Sequence, residues 1–223
     1  MPSRLRPTAP IAADALLVGD PGRALLLAQE LLEEPKMSNH ARGLWAYFGT
    51  TPAGGELTIQ ATGMGGPSAV LVLGDLVELG VKRAVRVGTC VGIEAKSGLG
   101  DLLVVEEAIA RGGSAASLGV EPGTAVAPDP VLTGKLQSEL GREGSLVSVA
   151  SVDHPAGDAA GLGVAAVDMQ TAPLLALAAG LGIELGAVLI VSEEERSSTS
   201  LEKEVLEELE RRAGRAASAA LSG

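Results

Sequence analysis

The sequence predicts a single-domain α/β fold, arranged as a three-layer α/β/α sandwich around a central mixed, largely parallel sheet. Short apolar runs of strand length alternate along the chain with longer stretches that have helical apolar periodicity. A chain of 223 residues with 46% hydrophobic residues can bury one sizeable core. No linker, repeat or low-complexity tract divides it. We therefore assign residues 1–223 to one domain and expect residues 1–12 to form a flexible tail.

Turn residues separate the predicted elements in the first half of the chain. The turn Gly19–Gly22 follows an apolar run and precedes an apolar-periodic stretch, which predicts a strand, a tight turn and a helix. The turn Pro52–Gly55 joins two strand-like runs and predicts a hairpin. The glycines of Gly63–Pro67 precede the next helix. In order, the predicted elements are the strand Ala15–Val18, the helix Ala24–Leu32, the strands Trp45–Thr50 and Glu56–Thr62, the helix Ser68–Leu79 and the strand Arg83–Gly88.

The second half of the chain continues this alternation, apart from one irregular stretch. Arg111–Pro130 is rich in Gly, Ser, Ala and Pro, and we predict a long loop there. Thr199, with Glu202 three residues later, predicts the start of the last helix through a capping box. Beyond Ala213 this helix becomes alanine-rich, and we expect it to fray. The remaining predicted elements are the strands Leu102–Val105, Ser145–Ala150, Val164–Val167 and Ala187–Val191 and the helices Val131–Leu140 and Thr171–Leu181.

The composition argues against several classes of protein. Lys plus Arg is 17 and Asp plus Glu is 28, so the formal net charge is −11, whereas a general nucleic-acid binder needs a basic face. The longest apolar runs are strand-sized, far short of the roughly 20 residues that span a bilayer, so we expect no membrane partner. Cys90 is the single cysteine, which fits a reducing compartment. We expect a cytoplasmic protein.

Two segments near the ends of predicted strands carry arginines suited to an anion. Gly19–Gly22 leads into a helix, where backbone N–H groups favour negative charge, and Arg23 adds a guanidinium. Arg86 lies within an apolar strand, where a charge needs a partner, and Thr89 offers a hydroxyl just past the strand end. Each motif also has a plain structural interpretation, namely a solvated Arg23 on an ordinary turn and an edge-strand Arg86 paired with a carboxylate.

Two further strands run into polar groups. Val164–Val167 is followed by Asp168-Met169-Gln170, and the Gln170 amide can either hydrogen-bond a diol or simply stand at a helix N-terminus. Ser192–Arg196 places consecutive glutamates after an apolar strand. Such a cluster can supply a general acid, although a solvated run of charges is the more common meaning. No set of His, Cys and Asp residues has the spacing of metal ligands, so we expect no metal.

Together these motifs resemble the purine nucleoside and uridine phosphorylase family of the hexameric bacterial type. Val167–Gln170 is similar to the Glu-Met-Glu segment that binds the sugar diol in that family, and Val191–Glu193 is similar to its Val-Ser-Asp segment. The resemblance is dense over about residues 16–105, thins between residues 111 and 161, and recovers in part to Glu194. The segments that occur in the family's order and spacing are Val18–Ala24, Ala41–Trp45, Thr62–Ala69 and Arg86–Cys90.

The resemblance implies reversible phosphorolysis, in which a nucleoside and phosphate give a free base and ribose 1-phosphate. It implies no cofactor, with inorganic phosphate as co-substrate, and a homo-oligomer, a dimer or a trimer of dimers, in which Arg42 reaches the neighbouring subunit's site. Glu193 would stand where an aspartate protonates the leaving base. The implied site residues are Gly19, Arg23, Arg42, Arg86, Gly88 and Thr89 for phosphate, Met64, Met169 and Gln170 for ribose, Cys90, Val91, Gly92, Val167 and Asp168 for the base, and Glu193, Ser192 and Arg86 for catalysis.

The sequence departs from the family in the half of the site that binds the nucleoside. Gln170 replaces a diol-binding carboxylate, Glu193 replaces a shorter aspartate, and His154-Pro155-Ala156 follow Asp153 where an aromatic residue usually stacks on the base. We therefore expect weak turnover of ordinary purine nucleosides, and we expect Gln170→Glu with Glu193→Asp to raise kcat/KM. Two other functions stay open: a nucleosidase, disfavoured by the phosphate arginines, and a non-catalytic relative that binds phosphate or a sugar phosphate. Purine is the default base.

Overall fold

The computed structural model describes residues 4–93, 97–154, 163–195 and 199–222, and it confirms a mixed α/β fold. Short 3-10 turns at Ala41–Gly43 and Gly141–Glu143 accompany the helices and strands. In chain order, the elements in the described residues are β1 (Asp14–Val18), α1 (Pro21–Leu31), β2 (Glu33–Asn39), β3 (Ala46–Thr50), β4 (Glu56–Ala61), α2 (Gly65–Glu78), β5 (Arg83–Gly92), β6 (Leu102–Ala110), α3 (Gly113–Ala116), β7 (Ala125–Val126), α4 (Pro130–Leu140), β8 (Gly144–Ser151), β9 (Ala166–Asp168), α5 (Thr171–Leu181), β10 (Glu184–Glu194) and α6 (Lys203–Ser222).

The differences from the predicted elements have physical reasons. β5 and β10 run past their predicted ends because they continue to pair with each other as far as Gly92 and Glu194. The edge strand β2 is absent from the prediction because its Glu-Glu-Pro-Lys-Met-Ser-Asn sequence has no apolar alternation, and its first five residues are exposed. The stretch Arg111–Pro130 also contains the short elements α3 and β7.

β5 is the strand at which the sheet branches. It pairs with β10 along its whole length, with β1 along Arg83–Val87, and with β9 at Val91 and Gly92. The pairing continues from β9 through β8 and β6 back to β10, so these strands close into a ring with β5. The strands β1, β4, β3 and β2 extend the sheet outward from the ring.

The sheet is mixed as predicted, and its longest pairings, those of β10 with β5 and of β6 with β8, are parallel. Among the described strands, five pairings are parallel and five are antiparallel. The hairpins β2–β3 and β3–β4 supply antiparallel pairs at one end of the sheet. β9 and β6 supply others where the ring closes on β5 and β10.

Alternate residues of the central strands pack into two separate hydrophobic clusters. Leu17 belongs to a cluster that includes residues of α2 and α5. Leu16 and Val18 belong to a second cluster that includes residues of α1, α4 and α6. This period of two is the side-chain alternation of a β-strand. Burial stabilises the fold by about 2 kcal/mol for each fully buried leucine and so fixes the strand ends that carry the polar loops.

The segment before β1 is held more firmly than the sequence suggests. Leu5 is 2% exposed. The backbone N–H groups of Arg4 and Leu5 donate to the carboxylate of Asp75. Within the segment expected to form a flexible tail, Arg4 and Leu5 are therefore hydrogen-bonded to α2, while residues 1–3 lie outside the described part of the chain.

The last helix also differs from its prediction at both ends. α6 begins at Lys203 and not at the predicted cap, Thr199. It continues to Ser222 because its alanines are buried among residues of α1 and α4, so the predicted fraying beyond Ala213 is wrong. None of the helices in the described ranges is long and apolar enough to cross a bilayer.

Candidate active site

A cavity of about 580 Å³ opens at the edge of the sheet where β1, β4 and β9 end and where the last residues of β5 and β10 lie. This is the edge at which an α/β sheet usually binds ligands. The turn residues Asp20, Pro21, Gly63 and Gly65 form part of its wall. The predicted site residues that line it are Gly19, Arg23, Met64, Arg86, Thr89, Cys90, Val91, Val167, Asp168, Met169, Gln170, Ser192 and Glu193.

Three predicted site residues do not line this cavity. Arg42 is exposed on the Ala41–Gly43 turn, with a left-handed φ of 59°. Gly88 lies against Arg86, because a Cβ at Gly88 would be 2.5 Å from Arg86 Nη2. Gly92 lies between β5 and β10, where a Cβ would be 2.8 Å from Val191 Cγ1. The two glycines therefore make room for neighbouring groups.

Arg86 is buried in the floor of the site, and each of its three guanidinium nitrogens donates to a protein group. Its Nε donates to Thr171 Oγ1 at 3.1 Å, its Nη1 to Gln170 Oε1 at 2.7 Å, and its Nη2 to Asp168 Oδ2 at 2.9 Å. Burial lowers the pKa of the guanidinium, Asp168 opposes that shift, and the nearby positive charge of Arg23 adds to it. Arg86 is paired with a carboxylate, but it is not on an edge strand, because β5 has β1 on one side and β10 on the other.

Asp168 holds the start of α5 and the Arg86 charge together. Its side chain is fully buried. Oδ1 accepts from Ser151 Oγ at 2.5 Å, and Oδ2 accepts from the backbone N–H of Thr171 at 2.9 Å and from its hydroxyl at 2.6 Å. By accepting from the Thr171 N–H, the carboxylate satisfies a free backbone donor at the helix N-terminus. The carboxylate is thus committed to the fold, and the interpretation of Asp168 as a ligand of the base has no support from its side chain.

Gln170 is a bridge between four groups of the protein. Its Oε1 lies 2.7 Å from Arg86 Nη1 and 3.1 Å from Thr62 Oγ1. Its Nε2 donates to the carbonyl oxygens of Gly63 at 2.7 Å and Gly65 at 3.2 Å. Two carbonyls on one end and a guanidinium on the other fix the orientation of the amide. A diol could reach this amide only by replacing existing hydrogen bonds.

Arg23 enters the cavity from the first turn of α1. That helix begins with Pro21 at its first position, and the Asp20 side chain accepts from the Arg23 N–H at 2.9 Å, as expected of an N-cap. The Arg23 Nε donates to Glu210 Oε1 at 2.6 Å, and its Nη1 lies 3.3 Å from the Val87 carbonyl oxygen. The interpretation of Arg23 as a solvated turn residue is therefore wrong, because its side chain is buried and paired.

The end of β10 brings Ser192 and Glu193 to the rim of the cavity. The register of β10 against β5 shifts between Val191 and Glu193, so Ser192 is the extra residue of a bulge, a feature that re-aims side chains. Ser192 Oγ donates to the carbonyl oxygen of Cys90 at 3.4 Å. Glu193 is exposed. The Cys90 thiol is buried, and burial raises its pKa, which argues against a thiolate nucleophile.

The two methionines predicted to contact ribose line the same cavity. Met64 is 91% exposed, and Met169 Cε would be 3.9 Å from a Cβ on Gly65. Asp153 accepts from the Gly113 N–H at 2.7 Å, away from this cavity. Pro155, Ala156 and Arg196 of the predicted segments lie outside the described residues. In the described part of the chain, no group of three or more His, Cys, Asp and Glu side chains could hold a metal ion.

Comparison with known proteins decides the family. The phosphorylase superfamily matches this chain over residues 14–222. The chain belongs to the phosphorylase superfamily. Its relatives in that superfamily include the purine nucleoside phosphorylase DeoD-type of Clostridium beijerinckii, 32% identical over 200 residues that cover 84% of this chain and 83% of the relative. The protein of the same name from Geobacillus kaustophilus is 32% identical over 209 residues, 83% of each chain. That of Oceanobacillus iheyensis is 40% identical over 99 residues, 44% of this chain and 42% of the relative.

Sequence reasoning missed four side chains that organise the site of this phosphorylase superfamily member. They are Thr62, Ser151, Thr171 and Glu210, each hydrogen-bonded to a predicted site residue. Thr171 has a local signal, because an aspartate three residues before a helical threonine is typical of a helix N-terminus. Glu210 has none, since it contacts Arg23 from 187 positions away in the sequence.

Proposed function

We propose that this protein cleaves the N-glycosidic bond of a purine nucleoside with inorganic phosphate, giving the free base and ribose 1-phosphate. One observation carries the proposal: Arg23, Arg86 and Thr89 line the same cavity as Ser192 and Glu193. A cavity of about 580 Å³ has the size of a small-molecule site. The relatives' names, purine nucleoside phosphorylase, support the reaction class and the default to purine.

In the proposed reaction, phosphate is held between the arginines and attacks the anomeric carbon. The new C–O bond forms as the C–N bond to the base breaks, and Glu193 at the rim donates a proton to the leaving base. The guanidiniums of Arg23 and Arg86 orient the phosphate dianion, whose negative charge stabilises the positive charge that develops on the sugar in an oxocarbenium-like transition state. Thr89 and the Gly19 N–H supply neutral donors. The reaction needs no cofactor and no metal, only phosphate as co-substrate.

The proposal includes self-association, as a dimer or a trimer of dimers, with Arg42 completing a neighbour's site. The exposed position of Arg42 outside its own cavity supports this, as do the exposed side chains of Met64 and Trp45. The two hydrophobic clusters that share the sheet strands support a three-layer α/β/α arrangement. The lone, buried Cys90 supports the cytoplasm as the compartment.

A second function is favoured by the network under the cavity. The Gln170 amide and the Asp168 carboxylate are occupied by protein partners, so neither offers a ready acceptor to a sugar diol. A weakly active or non-catalytic relative that binds phosphate or a sugar phosphate is consistent with that arrangement. In this alternative, the arginines of the site still bind an anion, but the protein does not cleave nucleosides.

A panel of nucleosides assayed with and without inorganic phosphate tests these functions. Base release that depends on phosphate, with ribose 1-phosphate as co-product, supports the phosphorylase. Base release of equal rate without phosphate contradicts it in favour of a nucleosidase. If no base is released from any nucleoside but calorimetry shows phosphate binding, the result supports the non-catalytic relative.

A further inference from the structure

Arg23, which the proposed function places against phosphate, already has a buried anionic partner. Its Nε donates to Glu210 Oε1 at 2.6 Å, and the two side chains are 7% and 8% exposed. Arg86 has a buried partner of its own in Asp168, at 2.9 Å. Each guanidinium is therefore matched by one carboxylate, and an arriving anion meets two cations whose charges are already offset.

The packing of α6 on α1 fixes Glu210 in this position. Gly214 lies one helical turn after Glu210, and a Cβ there would be 2.5 Å from Leu27 Cδ2. Leu27 in turn lies one helical turn after Arg23. The absence of a side chain at Gly214 allows the two helices to approach closely at this level. The same close approach lets Glu210 reach the Arg23 guanidinium.

Glu210 contacts Arg23 from outside the site cavity. Arg23 lines both the site cavity and a second cavity of about 650 Å³ between α1 and α6. Glu210 lines the second cavity but not the first. An anion in the site and the Glu210 carboxylate would thus share one guanidinium, each from its own side.

We propose that Glu210 sets the charge of the anion site: it holds Arg23 in place and lowers the affinity for phosphate by offsetting the Arg23 charge. The inference rests on the proposed function for the identity of the anion. A carboxylate on one side of a guanidinium repels a dianion bound on the other, and the repulsion is strong where both are shielded from water. Glu210→Gln removes that repulsion and keeps an oxygen that can accept the Arg23 Nε–H.

The test is calorimetric titration of inorganic phosphate into wild type, Glu210→Gln and Glu207→Gln. We expect Glu210→Gln to bind phosphate about tenfold more tightly, or about 1.4 kcal/mol. Glu207 is the matched control, because it lies on the same helix, lines the second cavity and pairs with Arg211 rather than Arg23. Its variant should bind like the wild type. Phosphate should also raise the Tm of Glu210→Gln more than that of the wild type, because the unmatched guanidinium gains its partner from the ligand.

Measurable but equal phosphate affinities of wild type and Glu210→Gln would overturn this inference and leave the proposed function standing. An equal gain in Glu207→Gln would overturn it as well, by showing a general effect of lower net charge. Absence of phosphate binding in all three proteins would overturn the anion site itself. If Glu210→Gln does not fold, the NMR resonance of the Arg23 Nε–H in the wild type provides the test instead. This resonance is assigned by its loss in Arg23→Lys. A change in that signal on phosphate titration supports the shared guanidinium, and an unchanged signal at saturation overturns it.

Discussion

Replacing Gln170 with glutamate tests whether this side chain is a structural bridge or a ligand-binding group that has lost its charge. The Nε2 donates to the carbonyl oxygens of Gly63 and Gly65, at 2.7 and 3.2 Å. A glutamate has no hydrogens to donate, so one of its oxygens would face two carbonyl oxygens in a buried position. We expect Gln170→Glu to destabilise the fold, which reverses the benefit expected from the sequence alone.

The size of the effect follows from the contacts at Gln170. Two neutral hydrogen bonds are lost, at about 1 kcal/mol each, and the carbonyls left without donors cost about 2 kcal/mol more. A charge-assisted contact with Arg86, whose Nη1 lies 2.7 Å from the present oxygen, returns about 2 kcal/mol. The net loss of about 2 kcal/mol corresponds to a fall in Tm of about 4–8 °C for a chain of this size.

Thermal unfolding followed by circular dichroism measures this fall, with Gln137→Glu as the matched control. The Gln137 Nε2 also donates to two carbonyl oxygens, those of Gly141 at 3.3 Å and Gly144 at 2.8 Å, but it lies on α4 outside the cavity. The control should lose less stability, because Gln137 is only half-buried, and should keep its phosphate affinity. A Tm of Gln170→Glu at or above the wild-type value, with a higher kcat/KM for inosine, would refute the bridge.

Three further predictions concern the arginines and the cysteine. Arg86→Ala should weaken phosphate binding by about ten- to a hundredfold in calorimetry, because a charge-assisted contact is worth about 1.5–3 kcal/mol; unchanged binding would contradict its place in the anion site. Because burial raises the pKa of Cys90, the stability linked to its proton is present below about pH 8.5, the usual value for a free thiol, and is lost as the pH rises above it. Urea unfolding between pH 7 and 10 should show that loss, and Cys90→Ala should lack it. If Arg42 completes a neighbour's site, mixing inactive Arg42→Ala with inactive Arg86→Ala should restore part of the activity, whereas a mixture that stays inactive argues against a shared site.

The sequence predicts an element correctly where a short segment has clear apolar periodicity and turn residues at its ends. β1 and α5 lie where periodicity and turn residues predict them, and the polar residues after β1, β4 and β9 do meet at one sheet edge. The edge strand β2 has no such signal, because its exposed residues follow no apolar pattern. The closure of β5, β9, β8, β6 and β10 into a ring depends on pairings between distant strands, which local patterns do not encode.

The same limit applies inside the site. The sequence identifies Arg86 as a buried charge in need of a partner, but it gives no way to choose Asp168 from the other carboxylates. From the sequence, Gln170 is interpreted as a weakened ligand, because an amide stands where the family has a carboxylate. Its function in the fold depends instead on hydrogen bonds to the carbonyl oxygens of Gly63 and Gly65. Those carbonyls belong to two glycines with φ of 74° and 76°, a backbone conformation that the sequence permits but does not specify.

The network around Arg86 changes how the divergence of this chain should be understood. By sequence, the residues expected to bind phosphate match the family and those expected to bind the nucleoside differ from it, as if the two halves of the site varied independently. In the structure, Gln170 joins them, because its oxygen accepts from Arg86 while its nitrogen holds the Gly63–Gly65 loop at the cavity wall. A change at this position therefore alters the setting of the arginine proposed to bind phosphate as well as the proposed sugar contacts. We therefore expect that Gln170→Glu alone does not create a diol site without a matching change in the Gly63–Gly65 loop that the amide holds.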